Sequence, residues 1–76
     1  MTPKQAIALV KSYTGDPNIT IESCKNYGMD YLITAYKDPT EMDPFYLVNK
    51  FNSSVRKYTI AENPARYYNT PEVQIR

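Results

Sequence analysis

The sequence predicts an α+β fold: an N-terminal helix packed on a small antiparallel sheet of three to four strands, then a short C-terminal helix. Three observations carry this. Apolar residues recur at helical spacing over the first fourteen positions. From Asn18 onward they alternate with polar ones. Proline-capped signals then mark a second, shorter helix after Asn63.

The first helix is predicted over residues 3–14. Thr2 is a capping residue, Pro3 suits the first helical position, and Gln5 completes a capping box. Ala6, Leu9, Val10 and Tyr13 fall at i, i+3, i+4 and i+7, with Ile7 widening the stripe and Lys4, Lys11 and Ser12 on the other side. Gly15 stops the helix and Asp16-Pro17 prevents its continuation.

Ile19 to Cys24 is β-branched and alternating, which predicts a half-buried strand. Asn26-Tyr27-Gly28 reads as a turn or bulge. Met29 to Tyr36 is a second strand with Tyr31, Ile33 and Ala35 on one face and Leu32, Thr34 and Tyr36 on the other. Apolar side chains on both faces predict a central strand. Two Asp-Pro pairs between Lys37 and Pro44 enforce a loop. Phe45–Asn49 and Val55–Ile60 form a hairpin, with Asn52 the expected positive-φ residue in its loop. Asn63-Pro64 opens the last helix. The helical stripe is expected to face a sheet surface containing Ile33 and Leu47.

A chain of 76 residues has room for one core. Residues 1–70 are expected to form a single α+β domain and 71–76 a flexible C-terminal tail without a partner. A domain this thin offers a shallow groove or a flat face rather than an enclosed pocket.

Composition excludes whole classes of chemistry. With no histidine and a single cysteine, the chain holds no Ser-His-Asp or Cys-His arrangement and no structural zinc site of the usual kinds. Its two glycines do not make a phosphate loop. Cys24 and Lys25 are neighbours on a strand and so point to opposite faces, which denies the thiol an activating amine. Asp38, Glu41 and Asp43 share one loop, but their spacing departs from the calcium-binding hand, and aspartates beside prolines more often make turn hydrogen bonds. No catalytic, cofactor-binding or metal-binding residue is predicted, and the chain is not expected to be an enzyme. The lone cysteine and the absence of a signal-like apolar run predict a cytoplasmic protein without a membrane segment.

Binding is the remaining reading. Eight tyrosines accompany two phenylalanines and no tryptophan, so some rings must reach the surface of so small a domain. Lys50, Arg56, Lys57 and Arg66 interleave with Phe51, Tyr58, Tyr67 and Tyr68. Such a set holds single-stranded nucleic acid by charge and stacking, or anchors a protein partner. A net charge of +1 gives little of the single-sign field nucleic acid requires and favours a protein, including a second copy of the chain. The predicted partner-binding residues are Tyr46, Arg56, Tyr58, Arg66, Tyr67 and Tyr68.

Asp43-Pro44-Phe45-Tyr46-Leu47-Val48-Asn49-Lys50, followed by Val55-Arg56-Lys57-Tyr58, resembles a pattern in short, functionally uncharacterised bacteriophage and prophage proteins. In those, a Thr-Pro-x-x-Ala helix precedes a "DPFY-V-(D/N)K" strand, a Thr-Gly turn and a basic-aromatic strand ending near Ala-Glu-Asn-Pro. Thr2-Pro3 with Ala6, the Asp43 segment and Ala61-Glu62-Asn63-Pro64 match. Asn52-Ser53 stand in place of Thr-Gly. The hairpin also resembles the "V-D-x-x-T-G-x-V" unit of PepSY-like domains. The resemblance implies a phage or prophage origin and a protein of the bacterial cytoplasm that can associate with the virion; joined to the binding reading, it makes a phage-derived interaction module, an assembly factor or a modulator of a host protein, the expected function, with a minor single-stranded nucleic-acid binder as the alternative. The resemblance supplies no activity and no site residues.

Overall fold

A computed structural model describes residues 1–75. Its elements are α1 (Pro3–Thr14), β1 (Thr20–Tyr27), β2 (Asp30–Tyr36), β3 (Phe45–Asn49), β4 (Val55–Tyr58), a 3-10 turn (Ile60–Glu62) and α2 (Pro64–Asn69). The strands form one antiparallel meander in the order β1-β2-β3-β4, with β2 in the interior as its two apolar faces require.

Local chemistry sets the bounds of α1. Thr2 Oγ1 accepts from Gln5 N–H at 3.2 Å, and Gln5 Oε1 accepts from Thr2 N–H at 2.8 Å. At the other end Gly15 adopts φ 68° and donates to Ser12 O, a conformation that penalises any side chain. Ala6, Ile7 and Val10 are buried against Ile19, Cys24, Ile33, Ala35, Tyr46 and Val48, with Leu9 half-buried at the margin. Tyr13 is 54% exposed and meets Tyr46 edge-on, centroids 6.1 Å apart.

β1 runs three residues beyond Cys24. Asn26 and Tyr27 pair with Tyr31 and Asp30, leaving only Gly28 and Met29 for the turn. Glu22 is the extra residue of a bulge: Ile21 opposes Ala35 and Ser23 opposes Thr34. The bulge lets Ile21 and Cys24, three positions apart, both serve the α1 side.

Several expectations are corrected. Leu47 does not face α1; it lies on the far face of the sheet with Leu32 and Tyr27. Ser53, not Asn52, takes positive φ in the β3–β4 loop, at 61°. Asn52 Oδ1 accepts from Ser54 N–H, and Asn49 Oδ1 accepts from Phe51 and Asn52 N–H, so the asparagines serve as turn acceptors. β4 ends at Tyr58 because Thr59 Oγ1 caps the 3-10 turn at Ala61 N–H. Within the stretch expected to be a tail, Val73 N–H donates to Cys24 O at 2.8 Å and Glu72 pairs with Lys25 along the outer edge of β1, while Arg76 lies outside the described residues. Val73 thereby packs against the α1-side core.

Candidate protein-binding face

The far face of the sheet is not bare. β1 presents Ser23, Lys25 and Tyr27 there, β2 presents Asp30, Leu32 and Thr34, β3 presents Phe45 and Leu47, and β4 presents Arg56 and Tyr58. Leu32 and Leu47 are buried at its centre beneath Phe45, Tyr58 and Tyr67. The chain then crosses this face from β4 to the edge of β1 through α2. Asn63 Oδ1 caps α2 at Arg66 N–H, and Pro64 opens its first turn.

Aromatic rings and cations tie α2 down. Tyr67 meets Phe45 edge-on at 5.2 Å, and its hydroxyl lies 3.4 Å from Thr34 Oγ1. Lys25 reaches up from β1, donates to Tyr67 O at 2.6 Å and places its ammonium 3.7 Å over the Tyr67 ring. Lys25 is 7% exposed and has no carboxylate within ion-pair distance among the described residues. The Arg66 guanidinium sits 4.0 Å over Tyr27, which in turn meets Tyr58 edge-on at 6.0 Å. Burial, with Tyr58 beside it, pushes the Tyr27 hydroxyl above the usual tyrosine pKa. Ser23 Oγ, Tyr27 Oη and Asp30 Oδ1, all on this face, are buried without a hydrogen-bond partner among the described residues.

Outside this layer stand the exposed groups. Tyr68 is 73% exposed and rests edge-on against Tyr67 at 5.3 Å. Arg56 is exposed, and its one ion-pair contact among the described residues is a long one of 3.9 Å to Asp30. Arg56, Tyr58, Arg66, Tyr67 and Tyr68 are therefore brought onto one face. Tyr46 is not: it is buried on the α1 side between Tyr13 and the Lys57 ammonium, 4.4 Å from its ring. Tyr46 alternates with Phe45 and Leu47, so the placement of Leu47 on the far face sends Tyr46 inward.

The four described cations of the C-terminal half, Lys50, Arg56, Lys57 and Arg66, are not arrayed together. Arg56 and Arg66 share the far face. Lys57 lies on the α1 side, donating to Asp43 O at 3.1 Å. Lys50 stitches the two hairpin ends together through Gly28 O at 2.7 Å and Asn26 Oδ1, with its ammonium 4.5 Å over Tyr31. Lys25, Tyr27 and Phe45 were missed as parts of this face; the alternation in β1 separates Lys25 from Cys24 without revealing that a helix will cover it.

Cys24 is fully buried on the α1 side, and burial pushes its thiol up to about 11. In the Lys37–Pro44 loop, Asp38 Oδ1 accepts from Thr40 N–H and Oγ1, both at 2.9 Å, bonds that hold its pKa below the usual value. Asp43 Oδ1 accepts from Thr59 Oγ1. No group of three or more potential metal ligands converges among the described residues. No helix among them is long and apolar enough to cross a membrane. No family model matches this chain, nor does any curated protein or solved structure.

Proposed function

We propose that this protein is an interaction module that docks a protein partner on the α2-covered face of its sheet. One observation carries the reading: Tyr68 stands exposed on a fixed base of Tyr67, Phe45 and Lys25, beside an Arg66 already held over Tyr27. Tyrosine and arginine are the residues most often found as binding anchors, and anchors held in place before binding lose less entropy when it occurs. The resemblance to phage and prophage proteins fits an assembly factor or a modulator of a host protein, acting in the bacterial cytoplasm or the virion.

Single-stranded nucleic acid is the weaker reading. It calls for cations along one groove beside exposed rings. Here Lys57 lies on the opposite face from Arg56 and Arg66, the Lys50 ammonium is engaged by Gly28 O, Asn26 Oδ1 and the Tyr31 ring, and Tyr27, Phe45 and Tyr67 are occupied by intramolecular contacts.

The test is the double variant Arg56→Ala with Tyr68→Ala, read by partner capture from the producing bacterium and by sedimentation. Neither side chain is buried, so folding should survive. Association should weaken by about 1–3 kcal/mol. Unchanged association in a folded variant places the interface elsewhere.

A further inference from the structure

The two edges of the sheet differ. The outer edge of β1 is occupied by the chain itself through Val73 and Glu72. Along the outer edge of β4 no strand or bridge runs among the described residues. The hydrogen bonds Lys50 N–H to Met29 O (3.0 Å) and Asn49 N–H to Ser54 O (2.9 Å) set the phase of the ladder. In that phase Arg56 and Tyr58 pair back to β3, while Val55 and Lys57 turn their N–H and C=O groups outward. A shallow groove of about 310 Å³, lined by Asp43, Lys57, Tyr58 and Thr59, adjoins this edge.

An open edge with this spacing is a template for one more strand. The charges on it select the occupant. Arg56 and Lys57 are both exposed and project to opposite faces. A second copy docking by two-fold antiparallel pairing about these residues would set cation against cation, which is destabilising. A segment carrying carboxylates on either side meets attraction instead, and Arg56 is left largely free by its long contact with Asp30.

We propose that β4 receives an extended, acidic segment of the partner protein as a fifth strand. The proposal rests on the interaction-module reading and deepens it, because Arg56 belongs both to this edge and to the face carrying Tyr68.

The test is an amide NMR titration of the full chain with a short, end-capped peptide alternating glutamate and valine. Its controls are a counterpart with lysine in place of glutamate and a backbone N-methylated form. The glutamate peptide should shift the Val55 and Lys57 amides and protect them from exchange, binding at least about tenfold more tightly than the lysine peptide. N-methylation should abolish the effect, Arg56→Glu should weaken the charge preference, and Arg56→Glu with Lys57→Glu should reverse it. Unmoved Val55 and Lys57 amides at high peptide concentration would overturn the proposal. So would equal binding of the lysine peptide, or a β4-paired dimer of the chain alone in sedimentation. Loss of strand addition while the Arg56→Ala, Tyr68→Ala variant still fails to capture its partner sinks only the fifth strand. Retained capture by that variant sinks the docking face itself.

Discussion

Lys25 and Tyr67, forty-two residues apart, form a closed unit: the ammonium donates to the tyrosine's carbonyl at 2.6 Å and lies 3.7 Å above the same residue's ring. A buried cation normally seeks a carboxylate, because desolvation is costly without one. Here a carbonyl oxygen at the C-terminal side of a short helix and an aromatic face share that role. The arrangement fastens α2 to β1 and so determines where Tyr68 and Arg66 stand.

Removing that fastening should loosen α2 before it unfolds the sheet. Lys25→Ala is expected to cost about 1–3 kcal/mol in denaturant unfolding, and amide exchange in Pro64–Asn69 should accelerate more than in β2. Lys25→Met, which retains the buried stem without the charge, should cost less. Equal exchange rates in α2 of the wild type and Lys25→Ala would show that Lys25 does not hold the helix.

The far face has a core of its own, and a substitution there measures it. Leu47→Ala should cost about 2–4 kcal/mol although Leu47 is remote from α1, comparable with Ile33→Ala on the helix side. Leu9→Ala, at the half-buried margin of α1, should cost less, about 1–2 kcal/mol. Leu47→Ala and Tyr67→Ala should be non-additive in a double-mutant cycle, since both belong to one cluster. Strict additivity would mean that α2 does not complete this core.

Alkaline pH should destabilise the protein through Cys24. The folded state keeps its thiol protonated to about 11, whereas the ordinary value is 9.0. Between these values the folded state binds more protons than the unfolded, so stability is fully present below about pH 9 and falls as pH rises toward 11. Tyr27, also raised, adds loss in the same direction. Thermal melts across this window should show a declining midpoint, and Cys24→Ala should flatten part of it. A thiol reagent at mildly alkaline pH should label Cys24 rapidly only after denaturant is added.

The local elements were legible in the sequence because local chemistry closes them. Thr2, Gln5 and Gly15 bound α1 through hydrogen bonds made within a few residues, and the Asp-Pro pairs and the Asn63-Pro64 cap act over similar distances. The position of β3 followed from the same kind of signal. Alternation along β3 also stated that Tyr46 and Leu47 oppose each other.

Which of them faces α1 was decided elsewhere. A shift of one residue in a strand exchanges its two faces, and strands apolar on both sides carry no internal mark of which face a helix will cover. The expectation set Leu47 under α1 and Tyr46 among the partner-binding residues; tertiary packing places Leu47 on the far face and buries Tyr46 on the α1 side. The bulge at Glu22 rephases β1, α2 crosses back to seal Leu32 and Leu47, and Val73 closes the edge at Cys24. Each of these depends on a contact between residues distant along the chain, and such contacts exist only once the sheet has assembled.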